Sequence, residues 1–185
     1  MMRRVEEIFA AAAAAHAATL STSESSIVEA AGRIRTALDG GGKILVFGNG
    51  GSAADSQHFA AELVNRYRAE RRAYAAIALT TDTSVLTSVA NDSSYTRVFA
   101  RQIEALGTKG DVALGISTSG RSASVIAALE QARLQQLATV GLLGSDISAI
   151  RHLLDVCITV CADVTPRIQE VHRTVLHTIC ELLEP

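Results

Sequence analysis

Residues with chemical capability gather in four short stretches of this chain. His58 and Glu62 stand four residues apart in DSQHFAAELVNR, which puts an imidazole and a carboxylate on one helical face, able to address a single site. The order HxxxE is not the HExxH of zinc proteases, so the spacing alone argues weakly for a metal, and an exposed pair on a helix is the plain alternative. Farther on, TPRIQEVHRTVLH carries Gln169, Arg173 and His177 at i, i+4 and i+8. On a helix of 3.6 residues per turn they form a stripe about 80 degrees wide, with His172 about 60 degrees to the other side. His177 is therefore the better functional candidate, and His16 and His152 show no convincing partners.

The other two stretches suit an anion. GNGGS, from Gly48 to Ser52, follows an apolar run, and its glycines let the backbone come close while amides and the Ser52 hydroxyl donate. It lacks the lysine of a P-loop and is not GxGxxG, so nucleotide binding has little support, and a tight turn before a helix is the bland reading. STSGRS places the hydroxyls of Ser117, Thr118, Ser119 and Ser122 between another apolar run and a helical stretch, where a phosphate monoester takes several hydrogen bonds or the hydroxyls merely cap the helix.

Alternating elements must position these groups. The runs Lys43 to Gly48, Tyr74 to Leu79, Asp111 to Ser117, Ala138 to Leu143 and Asp155 to Val160 read as five buried strands. Helical stretches are expected near Ala53 to Arg66, Thr83 to Ala90, Tyr95 to Leu106, Ser122 to Gln135 and Ile147 to Leu153, with a last helix from about Pro166. The alternation predicts an α/β domain whose parallel sheet is covered on both faces, with ligands beyond the carboxyl ends of the strands. The pattern does not give the strand order. Ahead of the first strand, residues 1–39 read as a helical pair. The Ser-rich link STSESS ends in Ser26 with Glu29 three residues on, a capping-box pattern, and Asp39 with Gly40 to Gly42 stops the second helix. These helices cross no sheet, so partner contact is their expected use.

Composition narrows the classes. The 185 residues carry 17 Lys and Arg against 19 Asp and Glu, a net charge of -2, with no Trp and 4% aromatics. Neither a polyanion-binding surface nor an aromatic platform for single-stranded nucleic acid is expected. With 48% hydrophobic residues and 2 Pro, the chain can bury a core. Cys157, Cys161 and Cys180 form no CxxC pair, so neither a disulfide framework nor a zinc ribbon is indicated, and a reducing cytoplasm fits best. Glu6, Glu7 and His16 break the order of a signal peptide, and no apolar stretch reaches the ~18 residues of a membrane span.

GNGGSAADSQHFAAEL, ALTTDTSVLTSVAND, ISTSG and RIQEVH followed by His177 resemble the bacterial phosphoheptose isomerases of the sugar isomerase (SIS) fold over nearly the whole chain. The serine-rich turn is common to SIS domains, whereas QHFAAEL combined with RIQEVH and the later His is specific to the heptose branch and its near relatives. The resemblance implies a single SIS domain over residues 1–185, a three-layer αβα sandwich of flavodoxin-like type with a five-stranded parallel sheet and N-terminal helices. It implies isomerisation of sedoheptulose 7-phosphate to D-glycero-D-manno-heptose 7-phosphate, an early step toward lipopolysaccharide heptose, by a cytoplasmic homotetramer with active sites at subunit interfaces. By motif position it assigns substrate contacts to Asn49, Gly50, Gly51, Ser52, Glu62, Asn91, Asp92, Ser117, Thr118, Ser119, Ser122 and Gln169. Glu62 becomes the base and His177 the acid, and one Zn2+ per subunit falls to His58, Glu62, Gln169 and His177.

Moving a proton between the first two sugar carbons through an enediol or enediolate needs a base near carbon and an acid near oxygen, which suits this pair. Gln169 is an unusual zinc ligand, which suggests a site tuned for exchange. Arg121 stands where the family commonly has Asn, and LLGSDIS lacks a Gly-rich turn often found there. Two alternatives stay open: a noncatalytic SIS protein that binds a replication initiator, and an isomerase of another sugar phosphate.

Overall fold

In a computed structural model describing residues 1–185, each apolar run becomes a parallel strand: β1 (Ile44–Gly48), β2 (Ala76–Ala78), β3 (Val112–Ser117), β4 (Ala138–Leu143) and β5 (Val156–Thr159). They form one sheet in the order β2-β1-β3-β4-β5. In register, Val46 faces Leu114 and Leu114 faces Val140, so apolar rows run across the sheet. The helices are α1 (Met2–Asp39), α2 (Gly51–Val64), α3 (Thr83–Asp92), α4 (Ala100–Leu106), α5 (Ala123–Leu134) and α6 (Thr165–Leu182).

Successive strand side chains point to opposite faces, which divides the core in two. Ile44, Val46, Leu114, Ile116 and Val140 pack with Ile34 of α1, Phe59 and Leu63 of α2, and Leu176 and Ile179 of α6. Leu45, Phe47 and Leu143 pack on the other face with Phe99, Ile103 of α4, and Val125 and Leu129 of α5. The result is the expected three-layer sandwich. The order also supplies what the pattern did not: β2 and β3 flank β1 on opposite sides, so the chain leaves β1 one way and returns the other. The crevice beyond the carboxyl ends of β1 and β3 is the switch point where ligands bind in such sheets. GNGGS follows β1 and STSGRS follows β3.

The expected N-terminal pair is one helix of 38 residues. STSESS has no Gly or Pro to break it, and its hydroxyls find partners without leaving helical geometry. Ser21 and Thr22 donate to the Ala18 carbonyl at 2.8 and 3.1 Å, and buried Ser23 donates to Thr159 O at 2.8 Å, tying this stretch to β5. Ser26 caps nothing, and Glu29 pairs instead with Arg33 at 2.8 Å. Three smaller boundaries also move. β2 is only three residues long, the expected helix from Tyr95 divides into a 3-10 turn (Tyr95–Arg97) and α4, and Ile147 to Leu153 yields only a 3-10 turn at Arg151–Leu153. All three cysteines are free, and no helix is long and apolar enough to cross a membrane.

Candidate active site

α2 begins in the glycine turn. Gly50 adopts φ +56, a conformation open to glycine at no steric cost, and α2 starts without a side-chain cap; the Ser52 and Ala53 amides donate to the Asn49 and Gly50 carbonyls at 3.0 Å, which leaves those of Gly50 and Gly51 for a ligand. The serine turn is built the same way. Gly120 has φ +63, and a Cβ there would collide with the Asp146 carbonyl. α5 also lacks a side-chain cap, because Ser122 Oγ is engaged elsewhere. Asn49 donates through Nδ2 to Ser122 Oγ at 2.9 Å and to Ser124 Oγ at 3.0 Å, so one amide ties the two turns into a single crevice wall. Ser52 and Ser117 are buried, Thr118 is half-buried and Ser119 is exposed, its Oγ accepting from Arg121 N at 3.2 Å.

α6 lies along α2, its entry set by Pro166 in the first turn. The two helices meet in three rungs. The Gln169 amide sits against Gly51, where a Cβ would displace it. Arg173 donates to Asp55 Oδ1 from Nε at 2.8 Å and from Nη2 at 2.5 Å. His58 Nε2 and His177 Nε2 are 2.7 Å apart, and Glu62 Oε1 stands 3.5 Å from the same His58 nitrogen. Glu62 and His177, 115 positions apart in the sequence, thus converge on one imidazole, with Tyr67 walling the far side, its ring 5.5 Å from that of His177. Arg71 holds the end of α2 from behind, donating to the Glu62 and Leu63 carbonyls at 2.7 and 3.0 Å. Burial, and then the neighbouring His58 and Arg173, hold the His177 imidazole below its usual pKa against the pull of Glu62 and Asp55. At neutral pH it is uncharged, able to give or take one proton.

Not every expected residue joins this group. Gln169 stays at the Gly51 rung, away from His58 and His177. Asn91 and Asp92, at the exposed end of α3, bond to each other at 2.9 Å rather than to either turn. Arg121 pairs with Asp146 at 3.5 Å. His16, expected to have no partner, reaches from α1 to Thr174 Oγ1 of α6 at 2.8 Å. His172 is wholly buried beside the Leu143 backbone, with no normal hydrogen bond at either nitrogen. Asp55, Tyr67, Tyr95 and Ser124 went unnoticed in the sequence. Asp55 alone had a local signal, since Gly51, Asp55, His58 and Glu62 run at i, i+4, i+7 and i+11 along one face.

The largest cleft, about 960 Å³, is at the opposite pole of the sheet, where Lys43 and Asp111 neutralise each other at 2.7 Å, and it holds none of these groups. A cleft of about 640 Å³ between α2 and α6 is lined by Gly51, Asp55, Gln169 and Arg173.

No three His, Cys, Asp or Glu side chains stand ready at metal-ligand spacing. Nitrogens on a tetrahedral zinc with Zn–N of 2.0–2.1 Å lie about 3.3 Å apart, so His58 and His177 must part by about half an ångström to share one. Gln169 must also swing from Gly51. By type, two imidazoles, a carboxylate and an amide oxygen match the N and O preference of zinc, so the residues fit such an ion once these movements bring them together.

Similarity to known proteins decides the family. The SIS domain model matches residues 8–144. A phosphoheptose isomerase of Roseiflexus sp. is 54% identical over 166 residues, 90% of this chain and 84% of that protein. The chain belongs to the SIS-domain family and, within it, to the phosphoheptose isomerases. Solved structures agree. That of the phosphoheptose isomerase from Neisseria gonorrhoeae matches with TM-score 0.92 and 42% identity, covering 98% of this chain and 97% of that one. That of the Francisella tularensis phosphoheptose isomerase matches with TM-score 0.94 and 32% identity over the same shares. The three-rung contact between α2 and α6 is therefore described in an isomerase.

Proposed function

We propose that this isomerase converts sedoheptulose 7-phosphate to D-glycero-D-manno-heptose 7-phosphate in the cytoplasm, an early step toward the heptose of lipopolysaccharide or related glycans. One observation carries the reading: a carboxylate and a neutral imidazole from two helices converge on His58, two turns along α2 from a crevice lined with amides and hydroxyls. From Gly51 to His58 the helix rises about 10 Å, within the reach of an extended seven-carbon sugar phosphate.

The phosphate is held by the hydroxyls of Ser117, Thr118, Ser119 and Ser122 and by the amides of Gly50 and Gly51, with Asn49, Ser52, Asn91, Asp92 and Gln169 beside the sugar chain. Glu62 removes the proton from the carbon next to the carbonyl. His177, neutral because of its surroundings, donates to the C2 carbonyl oxygen and then accepts the proton of the C1 hydroxyl as the enediol collapses, while Glu62 returns its proton to C2, leaving the aldose. His58, Glu62, Gln169 and His177 would hold a zinc ion, which when bound polarises the carbonyl. The assembly is a homotetramer. His58 and Glu62 side chains are 33% and 22% exposed in the single chain, too open for an enediolate that must be kept from water, so a neighbouring subunit covers them. Exposed Val5, Ile8 and Phe9 on the first turns of α1 supply an apolar contact.

The test is turnover of sedoheptulose 7-phosphate followed by aldose formation. Glu62→Gln and His177→Ala should each lower kcat by about a hundredfold or more. Unchanged turnover in both variants overturns the mechanism, and an inactive wild type overturns the substrate.

A further inference from the structure

The Asn49 side chain makes two hydrogen bonds to the serine turn, and their direction is set by a residue outside it. Tyr95, on the 3-10 turn before α4, donates its hydroxyl to Asn49 Oδ1 at 2.8 Å. Both protons of Asn49 Nδ2 then go to serine oxygens, Ser122 at 2.9 Å and Ser124 at 3.0 Å. Ser122 and Ser124 are themselves 3.3 Å apart.

A hydroxyl has one proton to give, and a phosphate dianion offers only acceptors, so every hydroxyl that grips it must spend that proton on it. Ser122 meets this condition when its own oxygen accepts from the protein. Asn49 supplies one such bond, and Ser124, buried with no other acceptor in reach, gives its proton to Ser122 as well. With the amide turned the other way, Oδ1 would draw the serine protons inward and the crevice would present lone pairs to an anion. Ser122 does not spend its hydroxyl on capping α5, which fits a group kept for a ligand.

We propose that Tyr95 is a positioning residue: by holding Asn49 in one orientation it presets Ser122 as a proton donor toward the phosphate of the substrate. The inference rests on the reading of the serine turn as the phosphate clamp. It extends the clamp by two residues, Tyr95 and Ser124, that touch no substrate.

Tyr95 is 57% exposed, so Tyr95→Phe removes one oxygen and leaves the packing intact. The KM for sedoheptulose 7-phosphate should rise about fivefold, the worth of one net hydrogen bond, while kcat stays within about twofold. The dissociation constant of inorganic phosphate, titrated calorimetrically into the intact protein without turnover, should rise by the same factor. Ser124→Ala should weaken phosphate as well, and the double variant should lose less than the product of the two single losses because both act through Asn49. Equal phosphate affinity in wild type and Tyr95→Phe overturns the inference, whatever happens to melting temperature or kcat. A wild type that binds phosphate but turns over no heptulose phosphate overturns the proposed substrate while leaving this inference standing. A wild type that does not bind phosphate overturns the phosphate clamp and this inference with it, leaving the substrate to be decided by turnover.

Discussion

Helical spacing alone singled out His58, Glu62, Gln169, Arg173 and His177, because a stripe at i, i+4 and i+8 is written locally. It could not say which stripe faces which, so the Asp55–Arg173 rung appears only in the structure. That rung makes an asymmetric prediction. The Asp55 side chain is 4% exposed whereas that of Arg173 is 43% exposed. Losing Asp55 leaves a guanidinium that can turn to water, while losing Arg173 strands a buried carboxylate. Arg173→Met should therefore cost about 3 kcal/mol and Asp55→Asn only about 1 kcal/mol. The double variant should cost less than the sum. Urea denaturation of the three variants reads this directly, and equal costs for the two single changes would contradict it.

Among the elements, the strands were legible because five continuous apolar runs leave few other options, but the first 39 residues were misread. Local rules treat STSESS as a linker and Ser26 with Glu29 as a cap, whereas burial of Thr19, Ser23 and Ile27 against α6 and β5 carries the helix through. A serine costs a helix only a few tenths of a kcal/mol, about what one such contact returns. Ser25 separates the two readings. It is exposed, so its replacement disturbs no packing. In a linker, Ser25→Pro would be neutral. Inside α1 it removes a backbone bond and crowds the preceding turn, so it should cost about 3 kcal/mol. A change in urea midpoint near zero would restore the two-helix description.

At the scale of the whole molecule, alternation announced a covered parallel sheet, but the order β2-β1-β3-β4-β5 depends on which helix covers which face, and no local pattern holds that. The order puts the glycine and serine turns side by side, and it also buries His172 between α6 and the end of β4, the strand whose next residue, Gly144, donates to Ser117 O at 3.2 Å. Burial pushes the His172 imidazole down to about 4 from its usual 6.5. Between those values the unfolded chain binds a proton that the folded chain refuses, so stability rises with pH across the window. The full contribution is present above about pH 6.5, and lowering the pH to 4 removes on the order of 3 kcal/mol. His177, also lowered, adds to the same slope, whereas Asp111, Asp146 and Glu184, with pKa values lowered from the carboxylate range, act mainly below it. His172→Leu fills a similar volume with nothing to protonate. Its urea midpoint should fall less than half as far as that of the wild type between pH 6.5 and 4, with the remaining slope due to His177. Parallel curves for the two proteins would mean that His172 is charged in the fold, and the tight seam between α6 and β4 could not then be as dry as its burial requires.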